Sequence, residues 1–388
     1  MSETDGAVFD TRIFADVIDT GTPFERFELA VQLADLVCDP ECPQDEFDAV
    51  MPSLLRLSAD PDELVRRQLA ESLAACPDLD RRVVASIAAD DDAIALPFLA
   101  RCQAMDDATM AAIASAGDEA RQCAIAARDD LSAAAVSALA GNGSEAAVRV
   151  MLDNPAATLD AALLRRLYAR FWKHSDIVEQ LLGFEELPVD IRILEVRRAS
   201  SRMQSMVKVN DWSPGDDGRS LVSDAQDRTL IALLNSADPK DLSRLIAFVS
   251  SRDMLTPSLL LKAAVDGHMH IVERSLAFLT ATSLKRVRKL MYEHGALSLR
   301  SLTVTAGIPD ECFALLRAAA DVAHASRGDK EWPAPERFGR KVVETLVTRS
   351  AAAPAKDRMR ALSLVEASAT GPTRTLARHL IEAMERAA

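Results

Sequence analysis

Residues 73–98 read LAACPDLDRRVVASIAADDDAIALPF, residues 99–124 LARCQAMDDATMAAIASAGDEARQCA, residues 125–150 IAARDDLSAAAVSALAGNGSEAAVRV, and residues 151–167 MLDNPAATLDAALLRRL. Set under one another, these lines align at a period of 26 residues: Leu73, Leu99, Ile125 and Met151 open them, followed by Ala74, Ala100, Ala126 and Leu152. A second ladder runs through Leu79, Met105 and Leu131, and its fourth rung slips two residues to Leu159. From each rung an apolar residue follows at plus five (Val84, Met110, Val136, Leu164) and another at plus eight (Ile87, Ile113, Leu139, Leu167). Those offsets line one face of a short helix. Asp80, Asp106, Ser132 and Asp160 sit just before these helices, where a side-chain oxygen can accept the free N–H groups of a first turn. Each line therefore predicts two short helices joined by a tight corner. A pair of that kind cannot bury its apolar face alone, so the units must stack, and the expected fold is an all-α solenoid.

Working outward, Asp60-Pro61 opens the first regular unit, with Asp62, Glu63, Leu64, Val65 and Arg66 at its start. That run resembles the opening of a HEAT-type helix, which implies that its Asp and Arg link neighbouring units, and the acids suit a helix start. Upstream, Ile13–Ile18, Phe24–Val37 and the run through Phe47, Val50, Leu54 and Leu55 read as helices outside the 26-residue register, an irregular end unit. Pro97 falls inside a predicted helix and is expected to kink it. Beyond Leu167 the rhythm fades into an aromatic-basic cluster, Arg165, Arg166, Tyr168, Arg170, Phe171, Trp172 and Lys173, followed by Arg192, Arg197, Arg198 and Arg202. Residues 205–222, SMVKVNDWSPGDDGRSLV, are rich in turn formers and predict a linker between domains at 1–204 and 223–388. After it, helices are expected at Leu230–Leu234, Leu242–Val249, Leu259–Ala264, Val272–Leu279, Phe338–Thr348, Asp357–Glu366 and Thr373–Glu385. Thr256-Pro257 supplies a capping hydroxyl and a first-turn proline, while Gly267, Gly295 and Trp332-Pro333-Ala334-Pro335 mark corners.

The composition agrees with this reading: aromatic residues make up 4% of 388, and Ala, Leu and charged residues dominate. The net charge of −14 is concentrated at the start, where residues 1–63 hold sixteen acids against Arg12, Arg26 and Arg56. The remainder is nearly balanced, which disfavours a phosphate-binding groove for nucleic acid. No apolar run approaches a bilayer span of roughly 18 residues. The opening MSETDGAVFD lacks the basic and apolar regions of a signal peptide, so a cytoplasmic protein without membrane insertion is expected. The six cysteines (Cys38, Cys42, Cys76, Cys102, Cys123, Cys312) suggest neither a disulfide framework nor a zinc site. Cys76 and Cys102 occupy equivalent repeat positions and read as small core residues.

The runs Val83-Val84-Ala85-Ser86-Ile87-Ala88 and Ala126-Ala127-Arg128-Asp129-Asp130-Leu131 resemble HEAT-like helical-repeat proteins. With Leu255–Leu261, Gly295–Leu297, Leu299, Leu302 and Ala306–Pro309, the chain is similar over roughly residues 60–320 to a domain-of-unknown-function family found mostly in alphaproteobacteria. That resemblance implies the fold and carries no catalytic residue.

No phosphate-binding glycine loop, His-Glu-x-x-His or Gly-x-Ser-x-Gly pattern is present. His268 and His270 flank Met269 without a third ligand at metal spacing, and Asp321 and His324 read as a helix-surface pair. The chain is therefore expected to be a non-enzymatic scaffold with no cofactor and no metal, presenting a curved surface to a protein or peptide. Its expected contact residues are Arg81, Arg82, Arg165, Arg166, Arg170, Trp172, Lys173, Arg197 and Arg198. The acidic first unit could meet the arginine patches within the chain or across a homodimer. The alternative is a sensor gripping a small anion or nucleotide through the arginines around 165–202 or through Lys285, Arg286, Arg288 and Lys289.

Overall fold

The computed structural model describes residues 11–210, 217–328, 331–351 and 354–387, and all regular structure among them is helical. Residues Met1–Pro188 form one compact unit and Val189–Ala388 a second. No helix among the described residues is long and apolar enough to cross a membrane.

The first unit holds α1 (Thr11–Thr20), α2 (Pro23–Val37), α3 (Gln44–Leu57), α4 (Glu63–Leu73), α5 (Arg81–Ala88) and α6 (Asp92–Arg101). It continues with α7 (Asp107–Ala116), α8 (Glu119–Ala126), α9 (Ala133–Asn142), α10 (Glu145–Asp153), α11 (Ala161–Phe171) and α12 (Ser175–Leu182). The four predicted caps are the caps observed. Asp80, Asp106, Ser132 and Asp160 accept the backbone N–H of Arg82, Thr109, Ala135 and Ala162 at the starts of α5, α7, α9 and α11. The first ladder closes the preceding helices: Leu73, Leu99, Ile125 and Met151 are fully buried at or near the last residues of α4, α6, α8 and α10. Even-numbered helices pack in series, α2 on α4, α4 on α6, α6 on α8, α8 on α10 and α10 on α12. On the other side α1 packs on α3, α3 on α5, α7 on α9 and α9 on α11. Pro97 sits within α6, which runs on to Arg101.

Polar side chains tie successive helices of this unit together. Arg26 reaches Asp60 at 2.7 and 3.1 Å, and Arg66 reaches Asp90 at 2.8 and 3.1 Å while also donating to the Asp60 carbonyl at 2.7 Å. Arg128 is buried and donates to the carbonyls of Leu99 and Cys102 at the end of α6, and to Asp130. Asn154 repeats the device on α8, donating to the Ala126 and Arg128 carbonyls at 2.8 and 2.7 Å. These are the carbonyls a helix end leaves without a partner. The cysteine reading needs a correction. Cys38 and Cys76 form a disulfide, with Cα atoms 4.7 Å apart, because α2 and α4 pack together and end side by side. Sequence separation hid the pair; Cys102 remains a buried thiol as expected.

The second unit comprises α13 (Val189–Asn210), α14 (Asp217–Ser236), α15 (Leu242–Ser251), α16 (Pro257–Val265), α17 (Met269–Leu279) and α18 (Leu284–Tyr292). α19 (Ala296–Thr305), α20 (Phe313–Ala325), α21 (Pro335–Arg349), α22 (Ala355–Ser368) and α23 (Gly371–Ala387) complete it. The division between units thus falls before α13 rather than in residues 205–222. Residues 205–210 and 217–222 are helical, because α13 and α14 pack along each other and tertiary contact outweighs weak local propensity. Residues 211–216, where the predicted turns concentrate, lie outside the described residues, as do residues 1–10 of the acidic lead-in.

α16 is the centre of this unit. Thr256 caps it by accepting from the Leu259 N–H, Pro257 is its first residue, and Leu259 to Val265 are all buried. A helix apolar on every side belongs inside. Its one charged residue, Lys262, is 4% exposed and is held by Asp224 at 2.9 Å and Asp227 at 2.8 Å, both on α14. α16 ends in a Schellman motif: the His268 N–H donates to the Ala263 carbonyl at 2.8 Å and Gly267 to Ala264 at 3.3 Å. Gly267 has φ +84, and an added Cβ there would lie 3.0 Å from the Phe338 ring. Glycine is required by the backbone and by the close approach together.

Candidate functional site

That glycine turn delivers the chain into the wall of a cavity of about 760 Å³ in the second unit. The volume lies in the range of roughly 300–1,000 Å³ usual for small-molecule sites. Asp266, His268, Met269 and His270 come from the corner and first turn of α17, and Glu273 from its next turn. Arg288 and Tyr292 come from α18, Arg327 from the segment after α20, and Trp332 from the stretch that leads into α21. The spacing of α18 explains its contribution: residues 288 and 292 lie four apart and share a face.

Glu273 is the buried hinge of the site. Its carboxylate accepts from Arg288 Nε at 2.6 Å and from the Tyr292 hydroxyl at 2.8 Å. Burial and the Glu273 charge push the Tyr292 phenol far above its ordinary range, so it stays a hydrogen-bond donor. Arg327 lies over the Tyr292 ring at 3.9 Å from the centroid, in cation–π geometry, and has no ion pair among the described residues. His324 stacks on Tyr292 with centroids 6.2 Å apart, so it contacts the aromatic wall rather than Asp321. Asp321 is paired with Arg317 at 2.8 Å and Arg349 at 2.6 Å.

Burial holds both imidazoles below their usual value, reinforced for His268 by His270 and for His270 by Arg274. Their rings meet edge to face at 6.1 Å. Burial also raises the Asp266 carboxyl, against the pull of Arg228, whose guanidinium is 3.9 Å away. Each cavity acid therefore has a cation: Asp266 has Arg228 and Glu273 has Arg288. Arg327 is the cation left over. Trp332 stacks on the buried Phe338 with centroids 5.7 Å apart, yet remains 49% exposed. Among the described residues no group of three or more His, Cys, Asp or Glu is placed to hold a metal ion, and no cysteine or serine lines this cavity. The wall offers donors and ring faces.

The residues nominated from sequence fall in several places. Arg81 pairs with Asp106 and Arg82 with Asp80, both arginines solvent-facing. Trp172 is 44% exposed with Lys173 5.1 Å over its ring. Arg170 donates to the Leu139, Ala140 and Gly143 carbonyls at 3.2, 2.8 and 2.8 Å, which makes it a clamp on the end of α9. Arg166 lies against Gly141 on the same helix end, and Arg165 leans back toward the Ala161 carbonyl at 3.4 Å. Arg197 and Arg198 are on α13, where Arg198 pairs with Glu195 at 2.7 Å. Of Lys285, Arg286, Arg288 and Lys289, only Arg288 lines the cavity; the other three are exposed on α18. Sequence reasoning missed Glu273, Tyr292, Arg327 and Trp332 as a group, because four separate segments supply them. The visible signal was the His-Met-His corner after Gly267.

No curated protein matches the chain. A family model does match, over residues 94–356, which is more than half of the chain and includes the whole cavity wall. The chain belongs to the family described as "Uncharacterised protein conserved in bacteria (DUF2336)".

Proposed function

We propose that the protein is a non-catalytic, cytoplasmic interaction module whose first unit is a HEAT-like α-solenoid offering a curved face to a protein or peptide partner. The observation that carries this reading is the unbroken series α2, α4, α6, α8, α10 and α12, each helix packed on the next. Clamps from Arg66, Arg128 and Asn154 to neighbouring backbone or acids pin that series, and Arg170 on α11 clamps the end of α9 beside it. A stack held in this way is a preorganised surface, and solenoids use such surfaces for binding. The contact residues are the solvent-facing Arg81 and Arg82 and the Trp172–Lys173 pair, since exposed Trp and Arg dominate interface energetics. Arg170 serves the fold on this reading.

The test is a native pulldown read by mass spectrometry. It compares the unaltered chain, Arg81→Glu with Arg82→Glu, Trp172→Ala with Lys173→Glu, and Arg327→Gln as a control in the other unit. A partner lost with either surface variant and kept by the control supports the reading. No partner in any sample, or one kept by both surface variants, refutes it. A second reading, a sensor for a small anion, rests on the second unit's cavity alone.

A further inference from the structure

We infer that the cavity of the second unit is a nucleotide site, in which Arg327 takes the phosphate and Trp332 stacks the base. This inference rests on the sensor reading and is independent of the partner surface on the first unit. Three features of the wall converge on it.

The first is charge. Glu273 and Asp266 each have an arginine, so Arg327 is the unmatched cation of the cavity among the described residues. Its guanidinium carbon sits 3.9 Å from the Tyr292 ring centroid and its N–H groups have no hydrogen-bond partner among the described residues, so they are free to donate in the paired fashion that phosphate oxygens accept. The first residues of α17, Met269 and His270, line the same space, so the positive end of an eleven-residue helix adds to the field there.

The second is the flat apolar wall. Trp332 has one face on Phe338 and nearly half its surface open, beside Pro333 and Pro335. A base stacks on an indole whatever its identity, because every base presents a π-face. The third is the choice of hydrogen-bonding groups. His268, His270 and Asn235 offer ring and amide groups that can pair with a base edge or a sugar hydroxyl.

The experiment is calorimetric titration of the full chain with AMP and with UMP, each set beside its half-ligands, the nucleoside and inorganic phosphate. A mononucleotide is expected to bind at least about tenfold more tightly than either half. Arg327→Gln and Trp332→Leu should each weaken it by about tenfold or more, while Lys356→Glu, at an exposed position away from the cavity wall, leaves it unchanged. Both altered residues are exposed, and an unshifted melting temperature verifies folding of each variant. The inference is overturned by an absence of heat with both nucleotides up to millimolar concentration. Affinity that survives both substitutions overturns it too, and so does inorganic phosphate binding as tightly as the nucleotides. A pulldown that yields no partner leaves these outcomes unaffected.

Discussion

Replacing Arg128 by Ala tests the claim that buried clamps, rather than surface ion pairs, hold the first unit together. The side chain is 3% exposed and donates to two carbonyls at the end of α6 as well as to the Asp130 carboxylate. Asp130 is 58% exposed and can be resolvated, so its share is small. The Leu99 and Cys102 carbonyls are the larger loss, since each buried polar group left without its partner costs about 1–3 kcal/mol. Water entering the vacated space would recover part of that. The net expectation is roughly 2–5 kcal/mol, which overlaps the roughly 3–5 kcal/mol cost of removing one member of a buried charged pair. For a unit of this size it corresponds to a fall in melting temperature on the order of 10 °C. The assay is far-UV circular dichroism against temperature and urea, run beside Arg82→Ala. Arg82 has the same formal charge and an acid partner but lies in solvent, 71% exposed, so its loss should leave the melt unchanged. If Arg128→Ala melts with Arg82→Ala, the clamp argument is wrong.

Gly267→Ala and Gly307→Ala form a matched pair, as both residues have positive φ after a helix end, +84 and +72. Only Gly267 has the Phe338 ring against it, so its variant should lose roughly 2–4 kcal/mol in urea titration, against about 1 kcal/mol for Gly307→Ala. His268 and His270 are held below 6.5 in the folded state, so the unfolded chain binds protons first as the pH drops past that value. Stability measured by urea titration should therefore decline as pH falls below 6.5, and His268→Asn with His270→Asn should flatten that slope; an unchanged slope would count against their burial. Asp266, whose carboxyl is raised above 3.8, acts in the opposite sense, because protonating it on the acid side relieves its burial. For the Cys38–Cys76 disulfide, thiol titration of the unreduced, unfolded chain should count four thiols, those of Cys42, Cys102, Cys123 and Cys312, and a count of six would remove the bridge. Reduction should cost the first unit about 2–4 kcal/mol.

Much of the first unit was legible because its information is local. The ladder from Leu73 to Met151, the caps Asp80, Asp106, Ser132 and Asp160, and the Thr256-Pro257 start each depend on residues within a turn or two of one another. The clamps were half visible. Arg128 and Asn154 stand at the repeat position already occupied by Cys76 and Cys102, and a polar residue in a core column signals a partner across the stack. The Cys38–Cys76 bridge was invisible, since it follows from helix ends meeting through packing. Residues 205–210 and 217–222 misled for the same reason, as contact between α13 and α14 keeps a turn-rich composition helical.

The cavity belongs wholly to the tertiary level. Arg288 was nominated inside a basic run, yet its role depends on Glu273 across the gap between α17 and α18. Arg327 drew no notice in sequence and became the unmatched cation once Tyr292 and the two paired acids were placed around it. The sequence by itself determined that this chain is helical, where many helices begin, and which apolar columns are buried, because propensity, capping and periodicity act over a few residues. Only the tertiary structure decided which charges are neutralised and which remain open to a ligand, because electrostatic partnership depends on distance in space and on burial.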